Sequence, residues 1–357
     1  MKNKNIANLY ITFLIAFICL FSSILVFMTV NYISNKGAGS EISDVSNFIF
    51  EGKDNSYRFS QNNPKPIDDS QDYKDIVIKT KNKFDLISKL NPIEFSNLDY
   101  PQKQNLFENL KVLKEQNLIE KDEIFNAILP SYQIILSILY TDTFAKSVIE
   151  NAYQDNLSSD FYKDFIYLRK IYYPVKDQFF ELLTYYFNIF KDDKTSYKTY
   201  SKIMRQKDFI IPKNKELKYN HQNAIDIFFK KVNKVNGEEI GPQIHSFTSG
   251  IVVVAENGWI GGTTFESYKG GGISPKSGNG VIIYDPIGKR FVSYFHLYEV
   301  NVVKGQIIKA GEPIGLGGNT GLNARKFGHG KHLHFEIFDI IKNRFLTCYE
   351  LKDLLFH

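Results

Sequence analysis

All seven histidines and 20 of the 23 glycines of this 357-residue chain lie beyond residue 220. Glycine costs a helix interior about 1 kcal/mol relative to alanine. The last 137 residues must therefore fold through turns and short strands, while the first 220 are free to be helical. The length also exceeds that of a usual single domain. An α+β, multidomain chain is expected. Charge adds one exclusion: 44 basic residues nearly balance 39 acidic ones, for a net charge of +5. So small and dispersed an excess argues against nucleic acid as a partner. Cys19 and Cys348 are too few and too far apart in the chain to build a disulfide framework.

Leu9–Val30 is a run of 22 residues without a charge. At 1.5 Å per residue it would span a ~30 Å hydrocarbon core as an N-terminal transmembrane helix. Lys2 and Lys4 precede it, which favours a cytoplasmic N-terminus and an extracytoplasmic (periplasmic or cell-wall) remainder. The run is longer than the apolar region of a cleaved signal, so residues 1–30 are read as a tip and single-pass anchor in the cell membrane. Residues 31–75, with Gly37–Ser40 and Asn62–Pro66, read as a linker. From 76 to 210 the pattern is mostly α-helical, with five or six helices. Leu106, Phe107, Leu110 and Leu113 form one apolar stripe, and Val175, Phe179, Leu182, Tyr186 and Phe190 another.

Residues 211–345 read as a mainly antiparallel β domain, and 346–357 as a C-terminal tail. Gly250–Ala255, Gly280–Tyr284, Phe291–Leu297 and His332–Phe338 are strand candidates, and Asp285-Pro-Ile-Gly288 turns the second into the third. The glycines at 270–272 and 315–321 fit neither phosphate-loop pattern, and no helix is expected after Gly321. On the last strand His332 and His334 point to one face, with Leu333 behind them, and Glu336 continues that face. Two such imidazoles suit a metal site in which one binds the ion and the other moves protons, with Glu336 orienting His334. Asp226 supplies a hard oxygen ligand, and His296 lies inside Tyr294–Leu297.

Gly317–Gly321, the run Gly330-Lys-His-Leu-His-Phe-Glu336, Tyr294–Leu297, Val303–Gly311 and Ala224–Asp226 together resemble the lysostaphin/LytM-type zinc endopeptidases, in the order of that family. The resemblance spans about 218–340. It implies a LytM-peptidase-type β domain holding Zn2+ and hydrolysing peptidoglycan cross-links in cell-wall remodelling, with stem peptides as substrate. Asp226 and His334 match zinc ligands, and His332 and His296 the histidines that assist catalysis. Where the family has its first histidine ligand, this chain has Gln222, a weak neutral donor. His221, one residue earlier, reaches the metal if a strand bulge resets its facing. Without that bulge the resemblance implies a catalytically inactive relative that binds peptidoglycan or an envelope protein partner, such as an amidase activator. Lys304–Ile314 alone also resembles carrier-type barrel domains, but lacks their lysine tip and leaves the histidines unexplained.

Overall fold

A computed structural model of the chain describes residues 83–139, 159–194, 197, 207–217, 221–235, 238–326 and 329–356, all within the compact unit Ser70–His357. The anchor expected at Leu9–Val30 and the linker at 31–75 lie outside these residues. Among the described residues, no helix is long and apolar enough to cross a membrane.

The helical part contains α1 (Pro92–Ser96), α2 (Tyr100–Glu115), α3 (Lys121–Ile128), α4 (Tyr132–Leu139), α5 (Ser159–Tyr172) and α6 (Lys176–Phe190). Local chemistry fixes where these begin. Asp99 caps α2 by accepting from the Gln102 amide at 2.8 Å, and Gln102 returns the bond to the Asp99 amide at 3.0 Å. Pro174 sits in a 3₁₀ turn (Tyr173–Val175) that leads into α6, where its missing N–H costs nothing. The stripe expected on α2 is buried as read, and α6 buries Phe179, Phe180, Leu182, Leu183, Tyr186 and Phe187.

Beyond residue 207 come β1 (Phe209–Ile210), α7 (Asn214–Leu217), β2 (Ile225–Phe229), β3 (Asn233–Val235), β4 (Glu238–Ile240), β5 (Gln243–His245), β6 (Gly250–Glu256), β7 (Asn279–Asp285), β8 (Arg290–Val300), β9 (Ile307–Ile308), β10 (Pro313–Gly317), α8 (Leu322–Arg325), β11 (His332–Asp339), β12 (Arg344–Phe345) and α9 (Cys348–Phe356). The main sheet runs β1-β2-β11-β8-β7-β6-β9, every pair antiparallel, as the sequence leads one to expect. In the β7–β8 turn the Asp285 carboxylate accepts from the amides of Ile287 at 3.0 Å and Gly288 at 2.8 Å. Two expectations change here. A short helix, α8, does follow Gly321. Residues read as a tail form α9, which buries Leu351 and Leu355.

The strands alternate between two cores. Val281, Ile283, Val292, Tyr294, Leu297, Leu333, Phe335 and Ile337 face a core closed by β5, β10 and α9. Ile282, Tyr284, Phe291, Phe295 and Phe338 face the opposite way, into a core continuous with the side chains of α2–α6. The helical part is thus a third layer on the sheet, sharing a single core with it. Polar contacts pin the layers together: Thr184 Oγ1 lies 2.8 Å from the Tyr284 hydroxyl, and the Tyr186 hydroxyl donates to the Gly305 carbonyl at 2.6 Å. Gly305 adopts φ +80°, and a Cβ there would lie 2.9 Å from the Phe125 ring, so only glycine seats the β domain against α3.

Candidate metal centre

Asp226 on β2 and His334 on β11 are directly opposed across an antiparallel pair, which places their side chains on one face. His334 Nδ1 lies 2.8 Å from Asp226 Oδ1, and Nε2 lies 2.8 Å from Glu336 Oε1. Both carboxylates can only accept, so both ring nitrogens carry protons. Burial opposes that charge, but the two carboxylates outweigh burial and push His334 up to about 10. Burial likewise opposes ionisation of Asp226, yet its bond from His334 and the nearby histidines hold the carboxyl well below the usual range.

His332 is buried beside this pair, with Nε2 3.6 Å from Asp226 Oδ1. Its Nδ1 lies 3.1 Å from the Gly330 carbonyl. A carbonyl only accepts, so Nδ1 is the protonated nitrogen and Nε2 keeps the lone pair. His296 repeats the arrangement, with Nδ1 2.8 Å from the Thr320 carbonyl. Burial, then the neighbouring histidines, push His296 well below its ordinary value; burial also lowers His332. Both rings are neutral and present Nε2 as a proton acceptor. The His296 and His332 centroids are 4.9 Å apart.

Simple alternation would send His296 into the wrong core, because it follows Tyr294 by two residues. The register shows how the chain avoids this. Gly280 pairs with Phe295 and Asn279 with Leu297, so His296 is an extra residue without a partner on β7. It adopts φ +65°. This is a β-bulge in left-handed backbone, a device that re-aims a side chain. Phe295 and His296 therefore both serve the site face, and Leu297 resumes the opposite core. Left-handed backbone costs a residue with a Cβ about 1–2 kcal/mol. His296→Gly is accordingly expected to be more stable than His296→Ala by about 1 kcal/mol in denaturant titration, while both lose the imidazole.

His221 lies on no strand, since a turn occupies residues 222–223 and β2 begins only at Ile225. The extra residue before Asp226 is taken up in this turn, so the strand bulge posited for His221 is not needed. His221 Nε2 lies 3.8 Å from Asp226 Oδ2, and its ring centroid 5.0 Å from that of His334. Its side chain is half-exposed, and burial followed by the charge of His334 lowers its pKa. Gln222 is exposed, and its carbonyl accepts from the Cys348 amide at 3.2 Å.

Two overlapping groups of possible ligand atoms, each within 4.8 Å, share His334: His221 with Asp226, and His296 with His332. A tetrahedral zinc ion with bonds of ~2.0–2.2 Å sets its ligands about 3.4 Å apart. His334 Nδ1 lies 2.8 Å from Asp226 Oδ1 and His221 Nε2 lies 3.8 Å from Asp226 Oδ2, on either side of one carboxylate, so an ion held among them would take the place of the proton on His334 Nδ1. Two imidazoles and a carboxylate suit zinc and leave a fourth position open, and the His334–Glu336 bond supplies the usual outer carboxylate. The residues fit the metal.

The other candidates have different duties. His245 pairs with Pro313 on β10, and His329 lies in the turn before β11; neither joins the two groups. Trp259 is buried, with Nε1 donating to the Pro275 carbonyl at 3.1 Å and the Arg325 guanidinium 4.9 Å from its ring. It packs a loop. The carbonyls of Thr320 and Gly330, which set the two tautomers, were not singled out from sequence. Their only signal was position, in Asn-Thr-Gly and just before His-x-His.

The sheet face bears Asp226, Glu336 and three imidazoles, with His221 beside it on the preceding segment, a set of side chains able to hold a metal ion. Residues 234–344, about a third of the chain, match the sequence model of peptidase family M23, and this segment resembles the lysostaphin/LytM-type peptidases. Asp226 and His221 precede the matched segment and α9 follows it. No curated protein matches the chain. Among solved structures, the catalytic domain of the antimicrobial peptidase lysostaphin from Staphylococcus simulans is 22% identical, with 44% of this chain and 92% of that one covered and a TM-score of 0.26. A zinc-containing peptidase from Vibrio cholerae is 20% identical, covering 43% and 40% with a TM-score of 0.26. The SpoIIQ–SpoIIIAH pore-forming complex contributes a chain 18% identical, covering 44% and 91% with a TM-score of 0.30.

Proposed function

We propose that this chain is a zinc-dependent endopeptidase that hydrolyses peptide cross-links of peptidoglycan, held at the outer side of the cell membrane by Leu9–Val30. The observation that carries the reading is the convergence of His221, Asp226 and His334 beside two neutral histidines, supported by the match of residues 234–344 to peptidase family M23. Zinc, when bound, would supply a water of pKa near ~7 and polarise the scissile carbonyl. His221, Asp226 and His334 would hold it, with Glu336 orienting His334. His332 would be the group to accept a proton, at Nε2, because Nδ1 is committed to Gly330. His296 is also an acceptor at Nε2 when neutral. The proton taken up by His332 would pass through His296 Nε2, whose ring centroid lies 4.9 Å away, to the leaving amine, so both rings would end neutral as they began.

The test uses full-length protein and isolated peptidoglycan. One zinc per chain and release of cross-link fragments are expected. His221→Ala is expected to weaken zinc binding by more than 100-fold and abolish cleavage, whereas Gln222→Ala keeps both. Zinc-free protein that binds peptidoglycan without cutting it would favour the silent, partner-binding reading.

A further inference from the structure

His221 is the proposed ligand with the least packing of its own. Asp226 and His334 sit on paired strands of a sheet buried on its other face, whereas the His221 side chain is half-exposed on a turn. Its place must come from the backbone around it. That backbone is tied down at Gln222, next to His221, by one residue outside the family match, which also meets Leu217. Cys348 Sγ lies 3.8 Å from the Leu217 carbonyl, and the Cys348 amide donates to the Gln222 carbonyl at 3.2 Å.

Cys348 is the first residue of α9, where an amide has no partner within the helix. The helix holds that amide still. Thr347 and Glu350 form a reciprocal cap, the Thr347 amide donating to Glu350 Oε2 at 2.8 Å and the Glu350 amide to Thr347 Oγ1 at 3.3 Å. Arg344 then grips the Glu350 carboxylate through both terminal nitrogens, at 2.9 Å and 2.7 Å. Beneath, Leu351 and Leu355 pack in the core that also takes Ile225 and Ile227 of β2. Lys352 donates to Asn214 on α7 at 2.6 Å. The helix is therefore fixed both to the strand bearing Asp226 and to the turn bearing His221.

We infer that α9 is the positioning element of the metal centre, setting His221 against Asp226 through the Cys348 N–H to Gln222 C=O bond. The inference rests on His221 being a ligand. It accounts for a ligand displaced by one residue: Gln222, at the expected position, serves the site through its carbonyl.

Proline is tolerated at the first position of a helix but has no N–H. Cys348→Pro removes the donor together with the thiol, and Cys348→Ala removes the thiol alone. With zinc and cobalt titrations of the full chain, Cys348→Pro is expected to bind about tenfold more weakly than Cys348→Ala, the lower end of the losses seen when a supporting residue is removed. The cobalt d–d bands should weaken with it, while Cys348→Ala stays within about twofold of the native chain. If the proline variant fails to fold, Glu350→Ala, which loosens the cap, is expected to bind about fivefold more weakly, and Glu350→Gln to restore binding. Equal affinity of the proline and alanine variants, or of Glu350→Ala and the native chain, overturns the inference. His221→Ala in parallel separates the two ideas: if it leaves affinity unchanged, the ligand assignment has failed. If it alone weakens binding, only the role of α9 has.

Discussion

His334→Ala is expected to abolish zinc binding and peptidoglycan cleavage, and to cost the metal-free fold about 3 kcal/mol. The first effect follows from losing the residue common to both ligand groups. The second follows from what is left behind. His334 sits between Asp226 and Glu336, and Asp226 is buried. Removing one partner of a buried ion pair strands the other, a loss of about 3–5 kcal/mol. His332 and His221, neutral at 3.6 Å and 3.8 Å, can take up a proton beside the stranded Asp226, which places the expected cost at the lower bound. Adding Asp226→Asn to His334→Ala is then expected to return part of the stability without returning zinc, because the buried carboxylate is gone and only the charge of Glu336 is left without its partner. Denaturant titration of the metal-free variants with zinc analysis checks this. A His334→Ala chain as stable as the native one would show that the carboxylates do not depend on the imidazolium.

The β domain expressed from residue 207, without the helical layer, is expected to aggregate or to lack a cooperative melt. Ile251, Val254, Ile282 and Phe291 are each 0–1% exposed in the core shared with the helices. At about 1.5–3 kcal/mol for each fully buried side chain, exposing the four forfeits roughly 6–12 kcal/mol, comparable with the whole stability of a domain at about 5–15 kcal/mol. Light scattering and thermal unfolding of the isolated 207–357 segment check it. A soluble monomer melting like the full chain would mean that the sheet face does not need its cover. Phe295 also links the layers to the chemistry, being packed in the shared core with its ring centroid 6.0 Å from that of His334.

The sequence carried the local patterns well and the long-range ones poorly. Period-two alternation and the family motif sufficed to put His332, His334 and Glu336 on one face and Leu333 behind them, because side-chain facing in a strand is a local property. The stripe of α2 was legible for the same reason. Three features were not. The bulge at His296 depends on its pairing with β7 and leaves no mark in the residues Tyr294–Leu297. The turn around Gln222 is held from α9, more than a hundred residues away, so strand reasoning applied to His221 started from the wrong backbone. The common core of helices and sheet was invisible because each set of apolar positions is self-consistent, and only tertiary structure shows that they fill the same space.

The bulge in β8 has an evolutionary consequence. Loss of the single residue His296 would leave Phe295 and Leu297 adjacent in regular alternation, each still facing its present core. The ladder would close and the left-handed backbone would vanish, along with one of the two neutral imidazoles. One codon therefore separates the present sheet from a more relaxed one that keeps both cores and the pairing of Asp226 with His334. The left-handed strain is thus borne by one residue that the packing of the sheet does not need.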